Sequence, residues 1–406
     1  MGSEDRETGR SITLIALIIA GEAIFFLPFV LARIFRPTLL AIFDISNTEL
    51  GVWFSIYGIV ALISYLFGGI IADRFSARKL MALAMWLTSG GGFVMATLPP
   101  SRVMIWLYAF WGFTTICLFW AAMIRATREW GGSGFQGRAF GWLEGGRGGV
   151  AALFGTFAFF LFSRFEDYQW VVVATSTFTL LSGLIVWIFV PEGTPVSTGN
   201  QSVNVFKGFR RLLRIPAIWL LGVIIICAYS GYKITDDFSL FAHEVLGFTE
   251  VSAAGIGTAA LWLRAIVAIG AGYMADRYKK VSVISVSFGL TLVGGLVIGL
   301  DMVHGITGLV LLNLSLTAAG IYGVRALYFA VLKEAGIPGT LTGMAVGIVS
   351  FAGFTPDIFI GPWMGHLLDK NPGAPGHQNV FLLLSLFAFI GLVANLFFRK
   401  LSKGDD

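Results

Sequence analysis

Eleven ionisable residues interrupt the long apolar runs of this sequence. If those runs cross a membrane, each charge costs about 2.5–3.5 kcal/mol unless it has a partner or faces water. Such residues are therefore candidates for binding a charged ligand, for ion pairs, or for coupling transport to an ion. They are Glu22, Arg33, Arg125, Glu144, Arg147, Lys233, Asp236, Asp237, Arg264, Arg325 and Asp357.

The bases among these residues suit the binding of an anion. Arg125 and Arg325 lie 200 residues apart, close to an internal repeat of 203 residues. Guanidinium groups bind carboxylate or phosphate through two parallel hydrogen bonds, so a pair of arginines facing one cavity favours an organic anion. We predict substrate contact for four bases: Arg33, Arg125, Lys233 and Arg325.

Each of these bases also has a structural interpretation. Arg33 could lie at the outer interface and extend its charge to the headgroups. Arg125 could lie near the inner mouth of the protein, beside Arg128. Lys233 could pair with Asp236 or Asp237 at helical spacing. Arg264 is interpreted as a packing residue or as a partner in an ion pair.

The acids could carry a coupling proton, because a carboxylate whose surroundings alternate changes its proton affinity. Position selects Glu22, Glu144, Asp237 and Asp357. Asp357 follows Pro356 and could instead stabilise a kinked backbone. If one anion is exchanged for another, no proton site is required.

Glu144 and Arg147 stand three residues apart in GWLEGGRGGVAALFG, residues 141–155. No strand precedes this segment, so a phosphate-binding loop is excluded. Small residues allow close helix contact in a membrane. The two charges form either a static ion pair or a pair that takes part in coupling or gating.

The composition indicates which elements must position these residues. The chain is 56% hydrophobic and 13% charged, with a mean hydropathy of +0.82. Soluble domains carry about 25% charged residues, so an all-α integral membrane protein is predicted. A span needs roughly 20 residues, and we predict twelve: 12–36, 50–72, 79–98, 103–127, 138–162, 170–190, 216–240, 252–273, 281–300, 306–332, 341–367 and 378–398.

Basic residues concentrate in alternate connections, which predicts a multi-pass inner-membrane protein with both termini in the cytoplasm. A repeat divides the chain, because GGIIADRFSARKL at 68–80 is matched by GYMADRYKKVSV at 272–283. We expect two six-helix bundles, 1–190 and 216–406, related by a pseudo-twofold axis. The linker, 191–215, ends in a basic amphipathic stretch suited to anionic headgroups or to a regulatory partner.

The repeated segment resembles the hallmark loop of the major facilitator superfamily. Serine at position 76 replaces the usual glycine. The resemblance implies a twelve-helix fold and secondary transport by alternating access, with helices 1, 4, 7 and 10 lining the cavity. Asp73 is expected to act in gating, with adjacent arginines bridging to Glu129, whereas Arg78 and Lys79 are expected to set topology. The motif residues are Gly69, Asp73, Arg74, Arg78 and Lys79, with a weaker copy at Gly272, Asp276, Arg277, Lys279 and Lys280.

Two further segments are similar to the organophosphate:phosphate antiporters. The first is 29–51, FVLARIFRPTLLAIFDISNTELG, and the second is 232–241, YKITDDFSLF. In that family a basic residue at the place of Arg33 binds phosphate, and another lies near the place of Lys233. The resemblance therefore implies an anionic substrate.

The sequence as a whole predicts a secondary transporter of a small organic anion (a sugar phosphate, sugar acid or carboxylate), driven by proton symport or anion exchange. Alternatives are a proton-coupled transporter of a neutral or zwitterionic solute, a drug exporter, and a transporter-like membrane sensor. We expect a monomer in the lipid bilayer that is not an enzyme and has no cofactor, metal or nucleic-acid partner. The four histidines show no metal-ligand spacing.

Overall fold

The computed structural model describes residues 3–132, 136–192, 210, 212–303, 305–331 and 342–402. Within these ranges all regular secondary structure is helical. The helices are α1 (Ser3–Ala23), α2 (Leu31–Ile34), α3 (Arg36–Phe43), α4 (Asn47–Arg74), α5 (Ala77–Ala96), α6 (Ser101–Gly112), α7 (Ala121–Gly131), α8 (Gln136–Phe165), α9 (Tyr168–Phe189), α10 (Pro216–Ile234), α11 (Phe238–Glu244), α12 (Glu250–Arg277), α13 (Lys280–Gly299), α14 (Thr307–Leu327), α15 (Thr342–Gly353), α16 (Pro356–Lys370) and α17 (Ala374–Ser402).

Eleven helical segments in the described part of the chain are long and apolar enough to cross a membrane. They match eleven of the predicted spans. The remaining prediction, 341–367, is covered from Thr342 onward by α15 and α16, which are separated at Phe354 and Thr355. Pro356 begins α16, and a proline at the first helical position cannot continue the hydrogen-bond ladder of the preceding helix.

Three spans are interrupted by irregular helical turns. The first contains π-helical turns at Phe26–Val30, the fourth contains them at Phe113–Trp120, and the seventh has a 3₁₀ turn at Thr235–Asp237. Such interruptions are frequent at functional sites because they redirect side chains and free backbone groups. Two of them lie next to candidate residues: Arg33 follows the first, and two acids occupy the third.

The helices alternate between two ends of the bundle. We call the end that holds connections 44–46, 166–167 and 371–373 the distal face. The opposite end, with connections 75–76, 190–192 and 278–279, is the terminal face. Two helix pairs, α4 with α16 and α8 with α12, join the segments before and after the central linker.

Both helix pairs make close contacts in their distal halves. A Cβ built on Gly51 of α4 would lie 2.4 Å from the backbone of Gly361 in α16, so the two backbones nearly touch. A Cβ on Gly365 would lie 2.4 Å from the backbone of Asn47. Small residues permit this approach in a membrane. The distal face is therefore closed along this pair.

Polar contacts at the distal face cross the same boundary. The Asp369 carboxylate accepts hydrogen bonds from the backbone N–H groups of Asn47 and Thr48, at 3.0 and 2.8 Å. Thr38 donates to Glu250. Toward the terminal face, by contrast, a Cβ on Gly69 or on Gly272 would meet no described atom within 4 Å.

Candidate functional site

Three arginines from three helices surround the ring of Tyr232, near the end of α10. The guanidinium carbon of Arg325 lies 3.6 Å from the ring centroid, that of Arg33 lies 4.3 Å away, and that of Arg264 lies 5.9 Å away. Arg33 Nη1 donates to the Tyr232 hydroxyl at 2.7 Å. Cations over an aromatic face are stabilised by its quadrupole. The ring thus holds several bases together that would otherwise repel one another.

A second chain of charges runs through the break in the seventh span. Arg33 Nε donates to Asp236 Oδ1 at 2.6 Å, and both side chains are buried. Lys233 Nζ lies 3.5 Å from Asp236 Oδ2 and 3.3 Å from Asp357 Oδ1. The Tyr229 hydroxyl donates to Asp357 at 3.0 Å. The 3₁₀ turn is what directs Asp236 toward the first span.

Glu22 contacts two buried arginines, one on a helix that precedes the central linker in sequence and one on a helix that follows it. Its Oε2 lies 3.1 Å from Arg147 Nε, and its Oε1 lies 3.0 Å from Arg264 Nη1. Arg147 also donates to Glu144 at 2.7 Å, which forms the predicted pair. Glu144 is 58% exposed whereas Arg147 is 7% exposed, so Glu22 is the more deeply buried partner, at 3%.

Arg325 differs from the other bases of this cluster. Arg33, Lys233, Arg264 and Arg147 each lie within 4.0 Å of a carboxylate oxygen. Within the described ranges, Arg325 has none, and its Nη1 is buried without a hydrogen-bond partner. The cluster thus contains five bases: Arg33, Arg147, Lys233, Arg264 and Arg325. It also contains three buried acids, Glu22, Asp236 and Asp357, and the half-exposed Glu144.

Several of the predicted site residues converge in this cluster: Arg33, Lys233, Arg325, Glu22, Glu144, Arg147 and Asp357. The interfacial interpretation of Arg33 is wrong, because its side chain is only 1% exposed and is held by Asp236. Arg264 forms the ion pair that was one of its two interpretations.

Arg125 does not join the cluster. It donates to the Ala72 carbonyl at 2.6 Å and to Glu129 at 2.7 Å, near the terminal face. The expectation that Arg125 and Arg325 form a symmetric pair at one cavity is therefore wrong in this conformation. Arg125 lies in the last turns of its span, so the near-equal sequence position does not give an equal depth.

Asp237 is also separate from the cluster, although it adjoins Asp236. Its carboxylate contacts His377 of α17, and both side chains are fully buried. The next polar residue, Ser239, donates to the backbone carbonyl of Arg33 at 2.8 Å. Asp237 in the turn therefore contacts the last span, and Ser239 in α11 contacts the first span.

The motif residues lie at the terminal face. Arg78 Nη2 and Lys79 Nζ contact the Glu192 carboxylate at 2.5 and 2.6 Å. The hydrogen bond from Lys79 and the charge of Arg78 hold the pKa of that carboxyl below its usual value. Glu129 pairs with Arg125 instead of with the motif arginines, which corrects the expected bridge. Seven motif residues are exposed: Gly69, Asp73, Arg74, Lys79, Asp276, Arg277 and Lys279.

Two features were not predicted from the sequence. Tyr232 organises the cluster, although its neighbour Lys233 was the residue selected. The spacing of the histidines suggested no role for His377, yet it contacts two carboxylates. The available signal was a histidine and paired acids within apolar runs, but their pairing spans more than 130 residues of sequence.

Comparison with known proteins identifies the family of this chain. Residues 12–300 match the description "Major Facilitator Superfamily". The chain is 32% identical to Escherichia coli (strain K12) inner membrane protein YqcE over 98% of this chain and 96% of that protein. It is 25% identical to inner membrane protein YihN of the same organism, over 95% and 94%.

Solved structures share the fold. A bacterial homologue of the human lysosomal transporter Spinster, in an inward-facing and unoccupied conformation, superposes with a TM-score of 0.74 at 15% identity, covering 97% of this chain and 98% of that one. A variant of the nucleoside transporter NupG gives 0.73 at 16% identity, covering 97% and 99%. The predictions of a helical membrane fold and of a transporter instead of an enzyme are confirmed. The chain is a multi-pass inner-membrane protein and a secondary transporter that belongs to the major facilitator superfamily.

Proposed function

We propose that this transporter carries a small organic anion, such as a sugar phosphate, a sugar acid or a carboxylate, by alternating access. The substrate binds beside Tyr232, between the helices that precede the central linker and those that follow it. Coupling is by proton symport or by exchange of one anion for another. The partial resemblance to the organophosphate:phosphate antiporters supports this substrate class.

The proposal depends mainly on the surroundings of the Arg325 side chain. Its guanidinium group lies over the Tyr232 ring, has no carboxylate partner in the described ranges, and keeps a buried N–H group without an acceptor. Arg325 as a whole is only partly buried, but its Nη1 group is buried, and a buried donor without an acceptor is costly. A carboxylate or phosphate group supplies both the charge and the acceptors, and it fits the planar fork of an arginine.

The surrounding charges favour the same ligand. Five bases outnumber the three buried acids of the cluster, and the half-exposed Glu144 leaves the balance positive. A neutral sugar would leave this excess uncompensated in a membrane-embedded site. An anion removes it, so substrate binding also stabilises the site.

Substitution of Arg325 tests the proposal. In proteoliposomes, the unaltered protein is expected to transport at least one of a panel of labelled sugar phosphates, sugar acids and carboxylates. Arg325→Ala removes a charge-assisted bidentate contact worth about 1.5–3 kcal/mol, so uptake below saturation is expected to fall by roughly tenfold or more.

Arg325→Lys keeps the charge but loses the fork, so partial activity is expected. Arg164→Ala, which removes an exposed base outside the cluster, serves as the control and is expected to leave flux unchanged. Transport of neutral sugars alone, unaffected by Arg325→Ala, would contradict the proposal and would favour the alternative of a proton-coupled carrier of neutral solutes.

Other parts of the proposal concern organisation. We propose that 1–190 and 216–406 move as two bundles joined by the linker 191–215, that both termini are cytoplasmic, and that the protein works as a monomer. In this orientation the terminal face is cytoplasmic, and the close contact of α4 with α16 lies toward the opposite, outer side. Asp73 and the rest of the loop motif then act where the bundles separate, and Asp276 and Arg277 act at the repeated loop.

A further inference from the structure

His377 lies between two carboxylates at the distal end of α17. Its Nδ1 is 2.8 Å from Asp237 Oδ2, and its Nε2 is 3.1 Å from Glu244 Oε2. His377 and Asp237 are fully buried, whereas Glu244 is 33% exposed. The edge of the histidine packs against the Phe241 ring, with the centroids 5.5 Å apart. The three polar side chains form a continuous line from the surface into the protein.

The two contacts fix a minimum number of protons. A neutral imidazole has one N–H donor and one lone pair, and an ionised carboxylate is only an acceptor. If all three groups were in their common neutral-pH forms, one ring nitrogen would face a carboxylate oxygen lone pair to lone pair. Two hydrogen bonds therefore require one more proton, carried either by the imidazole or by one of the carboxyl groups.

The surroundings also accommodate that proton. Arg36 of α3 is 1% exposed, donates to Asn47 Oδ1 through Nε and Nη2, and leaves Nη1 without a partner. It is the buried base that is electrostatically coupled to Asp237 and Glu244, and it is also coupled to Asp236 and Asp369 without a direct ion pair to any of them. With the extra proton, the group of Arg36, His377, Asp237 and Glu244 is neutral. Without it, the group holds an uncompensated negative charge near the distal face.

A short stretch of backbone connects this group to the substrate cluster. Asp236 and Asp237 are consecutive residues of the 3₁₀ turn between α10 and α11. Asp236 is bonded to Arg33, and Asp237 is bonded to His377. We therefore expect a rearrangement of Asp236 on arrival of an anion at Arg33 to be transmitted to the carboxylate of Asp237, which has one oxygen buried without a hydrogen-bond partner.

We propose that His377, Asp237 and Glu244 bind the proton that drives transport. Glu244 accepts the proton from water at the distal face, His377 shares it with Asp237, and the Asp236–Asp237 turn links its binding and release to the substrate. The proposal rests on the proposed function only in taking Arg33 and its neighbours as the substrate site. It selects proton coupling over anion exchange.

Nuclear magnetic resonance of the imidazole tests proton binding without any substrate. The full chain is labelled with ¹⁵N-histidine, and His377→Gln identifies the His377 signals among four histidines. The ring shifts of His377 are expected to show a titration step between about pH 5 and 10, and Glu244→Gln is expected to move its midpoint. Ring shifts of His377 that stay constant over this range would overturn the proposal.

Transport measurements test the coupling. Proteoliposomes are given an imposed pH gradient and labelled glycerol 3-phosphate, gluconate and glucose. In His377→Gln, accumulation driven by the gradient is expected to fall by roughly tenfold or more, within the range of usual coupling energies. Counterflow at equal pH is expected to stay within about twofold, because exchange does not need a net proton cycle. Glu244→Gln repeats the test at a partly exposed position, where a substitution destabilises the fold less than at the buried His377.

His366→Gln is the matched control, because His366 lies exposed on α16. Unchanged gradient-driven accumulation in both His377→Gln and Glu244→Gln would overturn the proposal. The two proposals fail in different ways. If glucose is the compound that accumulates and its accumulation depends on His377, the anion proposal fails and the proton site stands. If the unaltered protein exchanges anions without response to a pH gradient, the proton site fails and the anion site stands.

Discussion

Glu22→Gln is expected to produce a large loss of stability together with loss of most transport. Glu22 is the buried carboxylate shared by Arg147 and Arg264, at 3.1 and 3.0 Å. Removing one partner of a buried ion pair leaves uncompensated charge and costs about 3–5 kcal/mol. The neutral amide still occupies the space of Glu22, so the effect is one of charge and not of packing.

Glu22 also joins helices on opposite sides of the central linker, since α8 carries Arg147 and α12 carries Arg264. Its loss is therefore expected to disfavour this conformation relative to others as well as to destabilise the fold. The measurement is thermal unfolding of the purified protein in detergent, followed by flux in proteoliposomes. A clear drop in unfolding temperature is expected for Glu22→Gln.

Glu144→Gln is the matched control for this prediction. It removes a carboxylate from the same Arg147, but Glu144 is 58% exposed and Arg147 keeps Glu22. Exposed ion pairs contribute at most about 1 kcal/mol, so only a small change is expected. An equal loss of stability in the two variants would contradict the assignment of Glu22 as the main buried partner. The pH dependence of flux in Glu144→Gln also separates a static pair from a coupling role.

Gly51→Val is expected to shift the protein away from the conformation described above. A Cβ at Gly51 would lie 2.4 Å from the Gly361 backbone and 2.5 Å from Pro362 N, and a backbone cannot move aside as a side chain can. Overpacking typically costs about 1–3 kcal/mol, and every 1.4 kcal/mol changes the ratio of two conformations by about tenfold. Conformations with an open distal face should then dominate. Transport should be largely lost, because the protein cannot return to the conformation in which the distal face is closed.

Spin labels report this shift directly. Labels at Val52 of α4 and His366 of α16, both exposed positions, are introduced after Cys117 and Cys227 are replaced by alanine. A longer distance population is expected to dominate in Gly51→Val. Gly69→Val, on the same helix, is the control, because a Cβ there meets no described atom within 4 Å. An unchanged distance distribution in Gly51→Val would show that α4 and α16 do not form the distal closure.

The helices and the family could be predicted from the sequence because their causes are local. Each span follows from an apolar run of sufficient length, and the superfamily follows from the repeated loop around Asp73 and Asp276. The intramembrane charges could also be identified, because a charge in an apolar run is conspicuous. Seven of the nine intramembrane residues assigned to binding or coupling lie together in the cluster; Arg125 and Asp237 do not.

The partners of those charges could not be predicted, because they depend on long-range packing. Arg33 and Asp236 are 203 residues apart, and the 3₁₀ turn that directs Asp236 inward has no distinctive sequence signal. Helical spacing correctly gave Glu144 to Arg147 but could not reveal that Glu22 lies on the other side of the same guanidinium. The sequence repeat wrongly predicted that Arg125 lies at the same depth as Arg325, because the carbonyl and carboxylate partners of Arg125 hold it near the terminal face.

The central claim is that the cluster around Tyr232 recognises negative charge. Its most direct test is calorimetric binding of matched pairs that differ in one ionisable group, gluconate with glucose and glycerol 3-phosphate with glycerol, to the purified protein. For at least one pair the anion is expected to bind tighter by roughly tenfold or more, and Arg325→Ala is expected to abolish that preference. Equal binding of the two members of a pair, unchanged in Arg325→Ala, would contradict the claim.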